Sequence, residues 1–269
     1  MSAELEELKD LARALRRRVE LSDSSDWTGE ASASEGLVAE APAAAAAPRV
    51  LPPAAAAAVA APAPVAGATK AELFANLSKE IDACRACPLG AQRLRAVTGV
   101  GSLDAEVLLV GEGPGFEEDH QGEPFVGKSG QLLDKILESV GLSRKTVYIA
   151  NIVKCHPMTD PSDPELRGND RKPSPEEIAA CRHWLDEQIR AIRPRFIVTL
   201  GAVPAGVLLN DSSPISRIRG NWREYDPGGG APRARLLPTF HPAALLRNPD
   251  LKRDVWSDMK SLREELSKK

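Results

Sequence analysis

Beyond about residue 69, short apolar segments alternate with amphipathic ones, and this alternation leaves few folds open to the chain. Apolar, strand-like runs occupy residues 105–110, 147–153, 196–200 and 236–240. Segments with helical spacing of apolar residues lie between or after them, at 132–140, 175–192 and 251–266. Repeated strand–helix units form a parallel sheet with helices on both faces. We therefore predict an α/β fold, a three-layer α/β/α sandwich around a mainly parallel four-stranded sheet.

An Ala- and Pro-rich stretch separates this region from the amino-terminal part of the chain. Between Ala39 and Ala68, 17 of 30 residues are Ala and 6 are Pro. Because Pro interrupts long helices and Ala builds no core, we predict a disordered linker at 39–68 and a folded domain at 69–269. Residues 1–38 form an acidic tail, and a weak helix is predicted there from five apolar residues at heptad-like spacing, Leu5, Leu8, Ala12, Leu15 and Val19. That helix binds a protein partner, pairs with itself or remains a solvated tail.

The charge of the chain is divided unevenly along its length. The whole chain has 35 basic and 38 acidic residues, a net charge of −3, which argues at first against a nucleic-acid partner. Residues 1–68 carry 6 basic and 10 acidic side chains, so residues 69–269 carry 29 and 28, a net charge of +1. Local, salt-sensitive DNA binding by the domain is therefore permitted, with Arg247, Lys252 and Arg253 as candidate phosphate contacts.

The same sequence predicts where the protein resides. No run of 18 apolar residues with the character of a membrane span occurs, and the first residues lack the pattern of a secretory signal. We therefore expect a cytoplasmic protein with no membrane association, and we expect it to be a monomer.

A glycine-rich turn follows the first predicted strand, at the edge where sheets of this kind bind ligands. The turn, Gly111-Glu112-Gly113-Pro114-Gly115, lacks the Lys and Ser/Thr of a phosphate-binding loop. Phe125 lies in a nearby loop bracketed by Pro and Gly; it either packs back onto the core or offers a stacking platform. The acidic run at 117–119 is either part of the site or a solvated face. A carboxylate and an aromatic ring around one turn suit a flat ligand such as a nucleobase.

Two further polar residues end predicted strands. Asn151 closes the second strand, and its amide offers a donor and an acceptor to an amide-like base edge, unless it only forms a turn. His241 follows the fourth strand, with Pro242 fixing the chain behind it. A lone His is more often structural, but this position places it beside the other candidates.

The four cysteines form a third group of candidate residues. Cys84 and Cys87 form a CxxC pair, Cys155 follows the second strand and Cys181 lies on the next predicted helix. In a reducing compartment this number favours a metal site or buried thiols over disulfides. The second CxxC of a zinc ribbon is absent, and spacing alone also permits a chance CxxC with two buried thiols.

Three stretches carry a resemblance to a known family. The strings GEGPGFEEDHQGEPFVGKSGQLLDK, NIVKC and HPAALLRNPDLKRDVW resemble the family 4 uracil-DNA glycosylases, the iron–sulfur-containing branch of that superfamily. The similarity covers residues 73–266, the whole predicted domain, but not the tail. It implies a base excision repair enzyme that flips uracil out of single- or double-stranded DNA and hydrolyses its N-glycosidic bond, leaving an abasic site.

The resemblance also implies roles for individual residues. Gly111, Glu112 and Gly113 would line a uracil pocket, and Glu112 would be the catalytic carboxylate, with Glu118 and Asp119 as rivals. Further roles follow for three residues: stacking by Phe125, uracil reading by Asn151, and stabilisation of the departing base by His241. A structural [4Fe–4S] cluster would be held by Cys84, Cys87, Cys155 and Cys181.

Two departures from the family pattern leave alternatives open. Phe116 stands where typical members carry an acid, and it could add a second aromatic wall to the pocket. The stretch from Met158 to Arg171 is longer than the usual loop and corresponds in position to the loop of relatives that trap uracil covalently. The alternatives are thus a uracil-DNA-binding or covalent trapping relative, with His156 as the candidate trapping residue, and a non-catalytic accessory domain of a polymerase or repair assembly.

Overall fold

The computed structural model describes residues 69–268, so the predicted tail at 1–38 and linker at 39–68 lie outside the described residues. Within them, every helix is too short or too polar to cross a membrane.

The described region contains one six-stranded mixed sheet, in the order β1-β3-β2-β4-β6-β5. Its four central strands are parallel: β2 (Val107–Gly111), β3 (Tyr148–Asn151), β4 (Phe196–Leu200) and β6 (Ala234–Thr239). They coincide, within a few residues, with the four predicted strands. The short edge strands β1 (Val100–Gly101) and β5 (Arg223–Tyr225) pair antiparallel with β3 and β6.

The prediction of four strands is therefore correct for the parallel core and wrong at the edges. β1 has two residues, of which Gly101 takes a φ of 133°. A Cβ at Gly101 would lie 2.0 Å from the Val147 carbonyl oxygen, so only Gly allows this strand to approach β3. β5 begins with the exposed polar pair Arg223 and Glu224. Neither segment has an apolar period that a sequence pattern could reveal.

Helices fill the connections between the strands. They are α1 (Lys70–Ala83), α2 (Leu89–Gln92), α3 (Phe116–Gln121), α4 (Lys128–Ser139), α5 (Pro175–Ile192), α6 (Ala202–Leu209), α7 (Ile215–Ile218), α8 (Pro242–Arg247) and α9 (Lys252–Ser267), with a 3₁₀ turn at Pro249–Leu251. The predicted bounds of α5 are confirmed, and so is its capping box: Ser174 Oγ accepts the Glu177 N–H at 3.2 Å, and Glu177 Oε2 accepts the Ser174 N–H at 2.7 Å.

Two apolar cores lie on opposite faces of the sheet. Leu108 and Val110 of β2 pack with residues of α1, α5 and α6, whereas Val107 and Leu109 of the same strand pack with residues of α4, α8 and α9. This alternation along a fully buried strand is that of a central strand with both faces covered. The three-layer α/β/α class is confirmed.

The crossovers place the candidate residues at one edge of the sheet. β3 lies on one side of β2, and β4, the next strand along the chain, lies on the other side. In sheets of this topology the ligand-binding crevice lies at the carboxyl end of the strand at the switch point, here β2. Gly111, Asn151 and His241 all lie at carboxyl ends of parallel strands or directly after them.

Candidate active site

The centre of the site is a close packing of Gly111, Asn151 and Phe125. Gly111 is paired in register with Asn151 across β2 and β3. A Cβ at Gly111 would lie 2.3 Å from Asn151 Oδ1 and 2.6 Å from Cζ of Phe125. Only Gly leaves room for both side chains at this point of the sheet.

Asn151 has an oxygen without a partner. Its side chain is 2 % exposed, and Oδ1 is buried with no hydrogen-bond donor among the described residues. A buried acceptor without a donor is costly, so such an atom indicates a place where a ligand supplies the missing N–H. The turn-forming alternative for Asn151 does not account for this oxygen.

The Phe125 ring lies between the core and the crevice. It is 6 % exposed and belongs to the apolar core on the α4 side of the sheet. Its centroid lies 5.4 Å from that of the His241 ring, with the planes inclined by 31°. The ring therefore packs onto the core, as one of the two interpretations of Phe125 predicts, and it also contacts His241; its use as a stacking platform stays a prediction.

His241 is held as a neutral, oriented imidazole. It caps α8, and its Nδ1 accepts the Ala243 N–H at 3.1 Å, which leaves the ring proton on Nε2. Burial, with a smaller contribution from the Arg247 charge, lowers the pKa of His241 to about 4. At neutral pH the ring is therefore an uncharged donor through Nε2.

Glu112 is the candidate carboxylate that has no structural task. Burial raises the pKa of Glu112, and the charge of Lys172 partly opposes this shift. Gly113 follows in the turn, packed so closely on Val153 that a Cβ would lie 2.7 Å from Cγ2. Glu112 thus projects from a turn whose backbone is fixed against β3.

The two rival acids, Glu118 and Asp119, bind backbone amides and so stabilise the fold. Glu118 accepts backbone N–H groups from Gly115 at 3.1 Å, Val126 at 2.9 Å and Gly127 at 3.2 Å. Asp119 is fully buried and accepts the N–H groups of Leu94 and Arg95. Their acceptor capacity goes to backbone groups, so Glu112 is favoured as the reactive carboxylate. The acidic run is thus a short capped helix, α3, and not a solvated face.

The ring of Phe116 packs on its own helix, α3, and on the lengthened loop. The Phe116 ring stacks on the His120 ring, with centroids 4.2 Å apart. The guanidinium of Arg167, a residue of the lengthened loop, lies 4.6 Å from the centroid of the Phe116 ring. Arg167 also pairs with Glu117 at 2.6 Å. The lengthened loop is therefore anchored to α3 and covers its outer face.

His156 is unsuited to trapping a substrate. Its side chain is 1 % exposed; Nε2 lies 2.7 Å from Asp170 Oδ1, and Nδ1 lies 3.6 Å from Asp119 Oδ2. The two carboxylates raise the pKa of His156 to about 9 against the opposing effect of burial. The ring joins the lengthened loop to α3 as a buried cation. Its Nδ1 has no hydrogen-bond partner among the described residues, but the burial of the ring keeps it from a substrate.

The four cysteines line one cavity between α1, β3 and α5. Arg93 donates from Nη1 to Cys155 Sγ at 2.8 Å, and the Lys154 N–H donates to Cys181 Sγ at 3.3 Å. Trp184 also lines the cavity, and its buried Nε1–H has no acceptor among the described residues. Burial raises the pKa of Cys181 to about 12, so its thiolate form needs a compensating cation.

This thiol set is not arranged around a single ion. Within residues 69–268, no group of three or more His, Cys, Asp or Glu side chains converges closely enough to hold one metal ion. Four thiols around one cavity, two of which accept hydrogen bonds from N–H groups, are a donor set typical of a metal–thiolate site.

Comparison with known proteins places the chain in a family. Residues 98–260 match the model of the uracil DNA glycosylase superfamily. The chain belongs to that superfamily, in its type-4 branch.

Type-4 relatives match almost over their full length. A type-4 uracil-DNA glycosylase of Thermotoga maritima is 41 % identical over 203 residues, covering 74 % of this chain and 98 % of the relative. One from Archaeoglobus fulgidus is 39 % identical over 202 residues, covering 74 % and 96 %. A type-5 uracil-DNA glycosylase of Pyrobaculum aerophilum is 34 % identical over 166 residues, covering 56 % of this chain and 67 % of the relative. The family predicted from the three sequence strings is confirmed.

In this uracil-DNA glycosylase superfamily member, two basic residues that bind the backbone of the candidate site were not predicted from sequence. Lys154 is fully buried, with Nζ donating to the Asn151 carbonyl at 2.8 Å and to Gln188 Oε1 at 2.7 Å. Arg144 donates to the backbone of the Phe125 loop. In the sequence, each is a basic residue close to an apolar strand. Such a residue is normally predicted to lie at the surface.

Proposed function

We propose that this chain is a uracil-DNA glycosylase that extrudes uracil from DNA and hydrolyses its N-glycosidic bond. One observation carries the proposal: Asn151 Oδ1 is buried without a donor beside the Phe125 ring. Uracil offers an N3–H donor on its polar edge, whereas cytosine has an acceptor at N3. The pocket therefore favours the deaminated base and rejects the normal one.

Three side chains act on the flipped base. Phe125 stacks on the uracil ring, and Asn151 accepts from N3–H and donates to a neighbouring carbonyl. As the C1′–N1 bond breaks, its electron pair passes to uracil and negative charge grows on the carbonyl O2. The neutral His241 donates Nε2–H to that oxygen, which stabilises the leaving anion. Because its pKa is low, His241 gives a hydrogen bond and not a full proton.

Glu112 acts on the sugar side. Positive charge develops on the deoxyribose as the bond breaks, and a nearby carboxylate stabilises it. The same carboxylate orients the water whose oxygen bonds to C1′, and it accepts the proton that this water releases. Glu112 suits both tasks because its oxygens are not committed to the backbone as those of Glu118 are.

The cysteine cavity suits a [4Fe–4S] cluster held by Cys84, Cys87, Cys155 and Cys181. When bound, such a cluster with four protein ligands supplies a structural cross-link and leaves no open position for substrate. Arg93 and the Lys154 amide support the thiolates through their N–H groups. Analysis of purified protein should find about four irons and four sulfides per chain; one zinc per chain would contradict this assignment.

The activity is tested on oligonucleotides that contain one uracil, both single- and double-stranded. We expect free uracil and an alkali-labile abasic product, with no cleavage of control strands that carry cytosine or thymine. A heat-stable protein–DNA adduct without free uracil would identify a trapping protein and overturn the proposal. Neither product nor adduct would identify a non-catalytic binding domain.

A further inference from the structure

Phe125 has a backbone conformation that bulky residues rarely adopt. Its φ is 57°, in the left-handed region, although it is neither Gly nor Asn. Such a conformation persists only where the surroundings hold it, and it is often found where a side chain must be aimed. The question is which groups hold it.

Arg144 holds the carbonyl side of this loop. Its Nη1 donates to the Pro124 carbonyl at 2.9 Å, and its Nη2 donates to the Phe125 carbonyl. Its Nε donates to Asp134 Oδ1 on α4 at 2.6 Å. The planar guanidinium therefore fixes two consecutive carbonyls and is itself fixed to a helix.

The amide side of the loop is held from α3 and α4. Glu118 Oε1 accepts the N–H groups of Val126 and Gly127, the two residues after Phe125. The backbone of α4 lies directly beneath the loop, since a Cβ at Gly130 would lie 1.6 Å from the Phe125 carbonyl oxygen. The loop is thus held on both sides of Phe125, and Arg144 supplies the hydrogen bonds to the carbonyls of Pro124 and Phe125.

We propose that Arg144, held by Asp134, is a positioning residue that keeps the Phe125 ring in register with Asn151 and His241. Arg144 contacts the backbone of the stacking residue and acts through it, without touching the base. The proposal rests on the proposed function, because the aimed ring is the one that stacks on uracil. It adds a residue beyond the pocket to those that determine the activity.

The test is a double-mutant cycle between Arg144 and Phe125. R144M should lower the single-turnover excision rate by about 10- to 100-fold, the loss expected when a stacked base is displaced by about 1 Å. R144K should fall in between, because one ammonium cannot hold two carbonyls in a plane. In the F125G background, which removes both the ring and the strained residue, R144M should change the rate by less than about 2-fold. An equal loss in both backgrounds would overturn the proposal.

Arg195 offers a matched control at the opposite end of the sheet. It also donates to two backbone carbonyls, those of Glu265 at 3.3 Å and Lys268 at 2.5 Å, and lies 3.5 Å from a Glu106 carboxylate oxygen. R195M should keep the excision rate within about 2-fold of the unsubstituted chain. A loss as large as that of R144M would show a general effect of losing a guanidinium that binds backbone carbonyls, and would refute a positioning role.

A second readout separates this proposal from the proposed function. Hydrogen exchange of peptides covering 122–130 should be faster in R144M than in the unsubstituted chain, and unchanged in R195M. Unchanged exchange in R144M would refute the proposal even in an active enzyme. If the unsubstituted chain released no uracil, the proposed function would fail, whereas faster exchange in R144M would still support the positioning of Phe125.

Discussion

At the residue scale, the role proposed for Asn151 in selecting the base rests on its buried oxygen, which has no donor among the described residues. Replacing it with Ala removes the acceptor and the matching donor without adding bulk next to Gly111. We expect N151A to lower uracil excision by about 10- to 100-fold, equivalent to about 1–3 kcal/mol for a lost buried hydrogen bond. Single-turnover rates on a uracil oligonucleotide measure this loss. An unchanged rate in a folded variant would exclude Asn151 from base recognition.

The pH dependence of excision is expected to follow Glu112 alone. The pKa of Glu112 is raised by burial, and its active form is the carboxylate, so the excision rate should rise as pH passes upward through that elevated pKa. His241, with a pKa of about 4, is already neutral throughout this range and adds no titration near 6.5. Rates measured between about pH 4.5 and about pH 8 should therefore show one acid limb.

The matched variant for this limb is E112Q. It keeps the size of the side chain but cannot titrate, so its rate should be low and independent of pH across the same range. A limb that persists in E112Q would assign the titration to another group and remove the reason for naming Glu112 as the carboxylate.

At the element scale, the lengthened loop is held in place by its contact with the buried, positively charged His156 ring. The side chain of His156 is almost fully enclosed, and Asp170 is its nearest acceptor at 2.7 Å. D170A would leave the ring with the more distant Asp119 alone, and we expect it to lower the free energy of unfolding by about 1–3 kcal/mol. Urea unfolding measures the change. D163A, which removes an exposed acid of the same loop, is the control and should be nearly neutral.

The parts of the fold that sequence could predict are those with a clear period or cap. The bounds of α5 follow from Ser174, Pro175 and an apolar stripe, and β4 follows from a run that is apolar except at Thr199. The edge strand β1 carries no such signal, because a close backbone approach at Gly101 creates it. The same holds for α3, whose first turn is fixed by the Glu118 carboxylate at the Gly115 amide.

The site shows the same division. Gly111, Asn151 and His241 could be placed together because they follow parallel strands, and strand ends meet at one edge. The contribution of Arg144 could not be predicted, since it depends on a loop whose path is decided by tertiary contacts. The division of work among the three acids likewise depends on which backbone amides each carboxylate reaches.

At the scale of the whole molecule, the unequal distribution of charge has a measurable consequence. Residues 1–68 carry a net charge of −4 and residues 69–269 a net charge of +1. The net negative charge of residues 1–68 repels DNA phosphates, so removal of this segment should strengthen binding to a uracil oligonucleotide at low salt. Because the interaction between exposed charges is screened over about 10 Å at 0.1 M salt, the difference should shrink as salt is added.

The comparison is between the full chain and a variant that begins at Thr69, the first residue of the capping box of α1. Affinity for an oligonucleotide with a non-cleavable uracil analogue is measured at several salt concentrations, so that catalysis does not deplete the ligand. A variant with Glu4, Glu6, Glu7 and Asp10 changed to Gln or Asn removes four negative charges while keeping the tail, and it should reproduce the truncation if charge alone is responsible. Weaker binding by the truncated chain would contradict the electrostatic account and would indicate that the tail itself contacts DNA.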